Sequence, residues 1–162
     1  MTSNNKTSTG PVAVARALNI PVSYKQGIEL SNYLRYRSTA AAKNILEEVI
    51  ALRRAVPYRR FTKDLGHKPG IGAGRFPQKA SREMLRLVKA VEANAQVKGL
   101  NSSSLKITKL VVNKASTPFS GGRLRHRQKR SHIEIEVQEG TAKIKSDKTA
   151  PHSKSVAPAG KP

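Results

Sequence analysis

The chain has 162 residues, and its 31 Lys or Arg against 10 Asp or Glu give a formal net charge of +21 at pH 7. Small globular domains carry net charges of only about 2 to 8, and self-repulsion on this scale opposes a compact state unless a polyanion neutralises it. The balance excludes an ordinary soluble enzyme surface and makes nucleic acid the leading partner, while 37% hydrophobic and 4% aromatic residues leave room for one small aliphatic core.

Residues 1–11 offer no apolar surface to bury and are expected to form a disordered tail. No signal-peptide core follows, since Arg16 breaks the apolar stretch from Val12 to Ile20, and no run approaches the about 20 apolar residues that cross a bilayer. The expected location is the cytosol, with no membrane partner. Val12, Val14, Leu18, Ile20 and Val22 alternate with small or polar residues and predict a strand with one buried face, interrupted at Arg16. A short helix is expected near Lys25 to Tyr33. Ser38 and Thr39 then precede Ala42, Ile45, Leu46, Val49 and Ile50, the spacing of an amphipathic helix with its N-cap.

A second amphipathic helix begins near Pro77, presents Met84, Leu87, Val88, Val91 and Ala95 on one face, and stops at Gly99; Glu83 is expected in its first turn. Leu105 to Lys114 reads as a strand whose apolar residues change phase between Ile107 and Leu110, which calls for a bulge or a stretch buried on both faces. Ile133, Ile135 and Val137 alternate with polar residues in a partner strand. The expected fold is α+β: a small three-stranded antiparallel sheet packed against helices, with a long basic β-hairpin extension. The domain is expected to span 12–139, including an arm over 114–131, and 140–162 to form a disordered basic tail.

The cations are concentrated in two places. Arg53, Arg54, Arg59, Arg60, Lys63, Lys68, Arg75, Lys79 and Arg82 face a single acid, Asp64, across the connection between the main helices. Pro57, Pro69 and four glycines there predict irregular structure, and so long an irregular connection is usually functional or disordered. From Lys109 to His132 there is no acid at all, while Lys114, Arg123, Arg125, Arg127, Lys129 and Arg130 fall where a hairpin turns. The interval from Lys114 to Ser131 far exceeds the about 2–5 residues of a usual hairpin loop, so the hairpin is expected to project. Arg123, Arg125 and Arg127 alternate with other residues, and an extended backbone would aim their guanidiniums to one side. Arginine suits phosphate because its planar fork donates paired hydrogen bonds and stays charged. A solvated basic loop is the bland alternative at both places.

Tyr58 and Phe61 bracket Arg59 and Arg60 and are expected to anchor the loop on the core in preference to stacking on bases; Phe76 is expected in the core, and Phe119 is the better stacking candidate. Gly70-Ile71-Gly72-Ala73-Gly74-Arg75 fails as a dinucleotide fingerprint, because Arg75 takes the third glycine's place and no buried strand precedes it. Its glycines are instead expected to let the loop bend tightly against RNA backbone. His67, His126, His132 and His152 lack zinc-ligand spacing, and cysteine is absent. Glu134 and Glu136 share a strand face, where a solvated surface or ion pairs with lysine are expected over a paired-acid site. Neither a cofactor nor an enzyme activity is expected.

Val56-Pro57-Tyr58-Arg59-Arg60-Phe61, Gly66-His67-Lys68, Ala73-Gly74-Arg75-Phe76-Pro77, Glu92-Ala93-Asn94-Ala95, Val112-Asn113-Lys114-Ala115 and His132-Ile133-Glu134 resemble, in register, the ribosomal protein L-twenty-two family, called L-seventeen in eukaryotes. The Gly-rich insertion between helices looks like the archaeal and eukaryotic branch. The resemblance implies a large-subunit ribosomal protein that binds ribosomal RNA, adding His67 to the contacts, beside neighbouring large-subunit proteins and with no homo-oligomer. It also implies that the hairpin joins the wall of the nascent-peptide exit tunnel, its tip of Gly121, Gly122, Arg123, Leu124, Arg125, His126 and Arg127 facing the nascent polypeptide. Composition alone also permits a free-standing basic protein that compacts DNA or chaperones RNA.

Overall fold

The computed structural model describes residues 11–61, 64–123 and 126–140. Apart from Pro11 and Gly140, the expected tails lie outside the described residues, as do Lys63, Leu124 and Arg125. In chain order the elements are β1 (Val12–Ile20), α1 (Tyr24–Leu34), α2 (Thr39–Ile50), β2 (Val56–Pro57), β3 (His67–Lys68), β4 (Gly72–Arg75), α3 (Gln78–Val97), β5 (Leu105–Lys114) and β6 (Ser131–Glu139). They form an α+β domain with two small antiparallel sheets, ordered β1-β6-β5 and β2-β4-β3.

The helices arise where the apolar spacing places them. Ser38 caps α2, its hydroxyl accepting the Ala41 N–H at 3.3 Å, and Ala42, Ile45, Leu46 and Val49 are buried. In α3 the buried stripe is Ala80, Met84, Leu87, Val88, Val91 and Ala95, and Gly99 ends the helix at φ +74°. Glu83 falls in the second turn of α3, not the first, and contacts Arg86 at 3.2 Å. The helices cover the β6 face made by Ile133, Ile135 and Val137, all buried, while His132, Glu134, Glu136 and Gln138 stay half-buried opposite. Each aliphatic side chain withdrawn from water contributes roughly 1.5–3 kcal/mol.

A bulge resolves the phase change in β5. Ile107 pairs with Val137 but Lys109 pairs with Glu136, so Thr108 is the extra residue, and its hydroxyl donates to the Glu136 carbonyl at 3.2 Å. Leu105, Ile107, Leu110 and Val112 are consequently all buried.

In β1 the buried phase is the reverse of the expected one. Ala13 and Ala15 are buried, Val12 and Val14 are half-buried, and Leu18 is 71% exposed. The small alanines suit the strand to α3, which packs on it, and Asn94 of that helix and Lys98 at its C-cap donate to the Val14 and Val12 carbonyls at 2.9 and 2.8 Å. Asn19, at φ +53°, interrupts the register and returns Ile20 to the core.

The connection between α2 and α3 is likewise more regular than its Gly and Pro content predicts. Val56 pairs with Arg75 and Pro57 with Gly74, while His67 and Lys68 pair with Ala73 and Gly72 around a tight turn. Gly70 and Gly72 occupy φ +76° and +73°, so these two glycines serve the turn itself. Pro57 sits on a two-residue edge strand, where the missing N–H costs little.

Helix α1 approaches β5 closely at Gly27, where an added Cβ would lie 2.8 Å from Val112 Cγ1. Gly27→Val should overpack this contact and destabilise the protein by about 1–3 kcal/mol, read as a lower urea midpoint at unchanged m-value.

Candidate nucleic-acid interface

The basic segment after β2 is held from inside. Glu29, on the buried face of α1, accepts the backbone N–H groups of Arg59 at 3.2 Å, Arg60 at 2.9 Å and Phe61 at 2.7 Å. Three donors replace the water lost by the carboxylate, and hydrogen bonds to a charged group are the stronger kind. With its amides drawn inward, the segment leaves the Arg59 and Arg60 side chains exposed. Tyr58 is buried, and Phe61 packs against the core beside Tyr24, so both aromatics anchor the loop as expected. Lys25 and Arg60 stand 5.8 and 5.3 Å from the Phe61 ring centre. Burial pushes the Tyr58 phenol above its ordinary range; the Arg75 charge opposes that shift and the Glu29 charge adds to it.

Tyr36, at φ +67°, turns the chain between α1 and α2 and brings Arg35 and Arg37 beside Arg59 around a cleft of about 310 Å³ that Glu29, Asn32 and Tyr33 also line. Arg35 Nη2 donates to the Leu110 carbonyl at 2.9 Å, and Arg37 Nε donates to the Tyr33 carbonyl at 2.9 Å. Sequence reasoning missed Glu29, Arg35 and Arg37. The available signals were an acid set between Ile28 and Leu30, and aromatic residues interspersed with two arginines over 33–37, as also over 58–61.

A second cleft, of about 590 Å³, shares Tyr33 with the first and gathers Arg53, Arg54 and Lys68 with Phe76 and Ile71. Phe76 is therefore not in the core: it is half-buried in a cleft wall, with Lys68 Nζ 5.6 Å from its ring centre. His67 and Arg75 are exposed on the second sheet. Lys79 and Arg82 lie on the exposed side of α3, a stripe continued by Arg86 and Lys89 at helical spacing.

Between β5 and β6 the chain stays paired beyond Lys114 and Ser131. Ala115 N–H donates to the Arg130 carbonyl at 3.1 Å, Gln128 N–H to Pro118 at 2.9 Å and Ser120 N–H to His126 at 2.9 Å. Gly121, Gly122, Arg123 and His126 are exposed at the turn, as are Lys114, Arg127 and Lys129; Arg130 is half-buried. The alternating array of three guanidiniums includes Arg125, which is outside the described residues. Phe119 is 64% exposed with the Arg127 guanidinium 5.0 Å from its ring centre.

The acids serve the body of the domain. Glu48 holds Arg54 at 2.9 Å, Glu92 holds Lys43 at 2.9 Å, and Glu134 and Glu136 share Lys109 at 3.4 and 2.8 Å, with Arg16 also on Glu134. The Glu136 hydrogen bond chiefly raises the Lys109 pKa. For Glu134, desolvation pushes the pKa up but is outweighed by Lys109 and Arg16, which leave it below the usual carboxylate range. The exposed Arg54–Glu48 pair is worth about 0–1 kcal/mol. Among the described residues, Arg54 is the one expected contact residue with a carboxylate partner, and no group of three or more His, Asp or Glu is placed to hold a metal ion.

Fold and surface together define an α+β domain whose unpaired cations can neutralise a polyanion. Residues 15–138 match the family described as Ribosomal protein L22p/L17e. The chain is 39% identical over 140 residues to Large ribosomal subunit protein uL22 of Staphylothermus marinus, covering 79% of this chain and 89% of the relative. It is 37% identical over 145 residues to the protein of the same name from Methanocaldococcus jannaschii, covering 83% and 93%. The corresponding Methanoculleus marisnigri protein is 36% identical over 137 residues, covering 79% and 90%. The chain belongs to the L22p/L17e ribosomal protein family, of the archaeal type; the sequence blocks led us to expect this family and its archaeal and eukaryotic branch.

Glu29→Ala should cost at least about 2 kcal/mol of unfolding free energy, with faster hydrogen exchange at the amides of residues 59–61. Tyr58→Phe should be neutral or stabilising by up to about 1 kcal/mol, because the Tyr58 hydroxyl is buried with no hydrogen-bond partner.

Proposed function

We propose that the protein is a structural constituent of the cytoplasmic large ribosomal subunit and works without catalysis. Its cations neutralise ribosomal RNA phosphates during subunit assembly, and the α+β core fixes the directions from which they approach. Its family membership carries this reading, and the exposed cations without carboxylate partners around β2–β4, along α3 and between β5 and β6 supply its chemistry. The RNA-contacting set is the one expected from sequence, Arg53 to Arg82 and Lys114 to Arg130, joined by Arg35 and Arg37. The arm over 114–131 lines the nascent-peptide exit tunnel, its tip from Gly121 to Arg127 meets the nascent chain, and the domain sits as a single copy among neighbouring large-subunit proteins.

After a moderate-salt wash the protein should sediment with large subunits; recovery only in free fractions would refute the proposal. Binding to large-subunit RNA should weaken with salt at a log–log slope of about −0.7 to −0.9 per phosphate contact. Duplex DNA binding at least as tightly at matched ionic strength would favour the free-standing alternative. Residues 116–130 should be cut early by protease in the isolated protein and protected in the subunit. Equal protection in both states would remove RNA as the source of order in the arm.

A further inference from the structure

We propose that the two clefts that share Tyr33 form one track for an unpaired stretch of RNA, with phosphate held at Arg35, Arg37 and Arg59 and an unstacked base against Phe76. The inference rests on the ribosomal-RNA reading and goes beyond it by naming the form of RNA these residues take.

The first cleft has more donors than its acid can use. Both Glu29 oxygens already accept backbone N–H groups, so the carboxylate is committed inward. Arg35 is oriented by the Leu110 carbonyl, and its Nε is buried with no partner. Three guanidiniums from two chain segments thus line one cleft whose only carboxylate is engaged by backbone N–H groups, a geometry suited to a phosphate.

The second cleft adds what phosphate alone does not require: an apolar wall. Phe76 lies outside the aliphatic core, yet its ring lines a space within the about 300–1,000 Å³ range of small-molecule sites. Glu48 in the same wall is occupied by Arg54 at 2.9 Å, leaving Arg53 and Lys68 for a ligand. Leu52, at φ +62°, is the left-handed residue that ends α2, and Arg53 N–H donates back to the Glu48 carbonyl at 2.9 Å. That turn delivers Arg53 and Arg54 to the cleft. An aromatic ring between cations serves an unstacked base, since a duplex hides its base faces and offers phosphate alone. An acidic peptide would satisfy the cations without using Phe76.

The test uses the full chain and a mixed-sequence 12-nucleotide RNA with a central 2-aminopurine, as a single strand and as a duplex at matched ionic strength. The single strand should bind more tightly and its 2-aminopurine fluorescence should be quenched on binding. Phe76→Ala should weaken single-strand binding at least ~5-fold with an unchanged salt slope and little effect on the duplex. Phe76→Tyr should restore it. Arg37→Gln, at an exposed position, should instead flatten the single-strand salt slope by roughly 0.7. Equal loss on single strand and duplex, no loss at all, or equal competition by a polyglutamate peptide of matched charge would overturn the track. If any of these occurs while the wild-type protein still sediments with large subunits, the track fails and the ribosomal proposal stands.

Discussion

A carboxylate buried in a helix and wrapped by backbone amides sets the arrangement of everything around the second sheet. Glu29 projects from α1 into the space under residues 59–61 and accepts three N–H groups there. An unpaired carboxylate would not tolerate that burial, and pairing it with arginine would consume a guanidinium. Backbone donors satisfy it without spending a cation. Because the amides point inward, the arginine side chains of the same residues are left outward, and Pro57 and Tyr58 before them are pinned on the core. One internal acid thereby orients a surface whose external chemistry is basic.

The same economy runs through the remaining acids. With 31 basic residues to 10 acidic ones, most cations must go without a carboxylate, so placement decides which ones stay available. Glu92 ties Lys43 between α2 and α3, and Glu134 and Glu136 settle on the outer face of the sheet with Arg16 and Lys109. These pairs lie where the domain holds itself together. Among the described residues along the second sheet, α3 and the β5–β6 connection the guanidiniums are left largely uncompensated; Arg86, paired with Glu83 on α3, and Arg54, which shapes a cleft wall, are the exceptions. Self-repulsion is thus displaced to the periphery, where a polyanion relieves it most effectively.

Much of this was legible in sequence because the elements of the core obey single periodicities. The stripes of α2 and α3, the Ser38 cap, the Gly99 stop and the broken phase of β5 each report a local constraint that tertiary packing preserves. What escaped depends on residues distant in the chain. Alternation in β1 favoured the valines over the alanines, yet the strand lies under α3, where small side chains suit close packing and larger ones turn outward. Glycine and proline concealed the second sheet because its strands are too short to display a period. Arg35 and Arg37 lie outside both basic runs and reach the cleft beside Arg59 through the turn at Tyr36, while Glu29 gives no sign in sequence of the loop it will bind.

The edges of the main sheet limit how this domain can engage anything else. An exposed edge offers unpaired backbone groups to another strand, and many partners exploit that template. Here the β1 carbonyls of Val12 and Val14 are taken by Lys98 and Asn94. On the opposite edge, Ile107 of β5 exchanges hydrogen bonds with Tyr36 and Arg37 at 3.0 and 2.9 Å, and Ser38 bridges to Lys106. Both edges are closed by the protein's own chain along those stretches. Recognition along those stretches must pass through side chains. The segment closing the β5 edge is also the one that delivers Arg35 and Arg37 to the cleft beside Glu29. Sealing the sheet against strands and setting Arg35 and Arg37 beside Arg59 are therefore two results of a single turn.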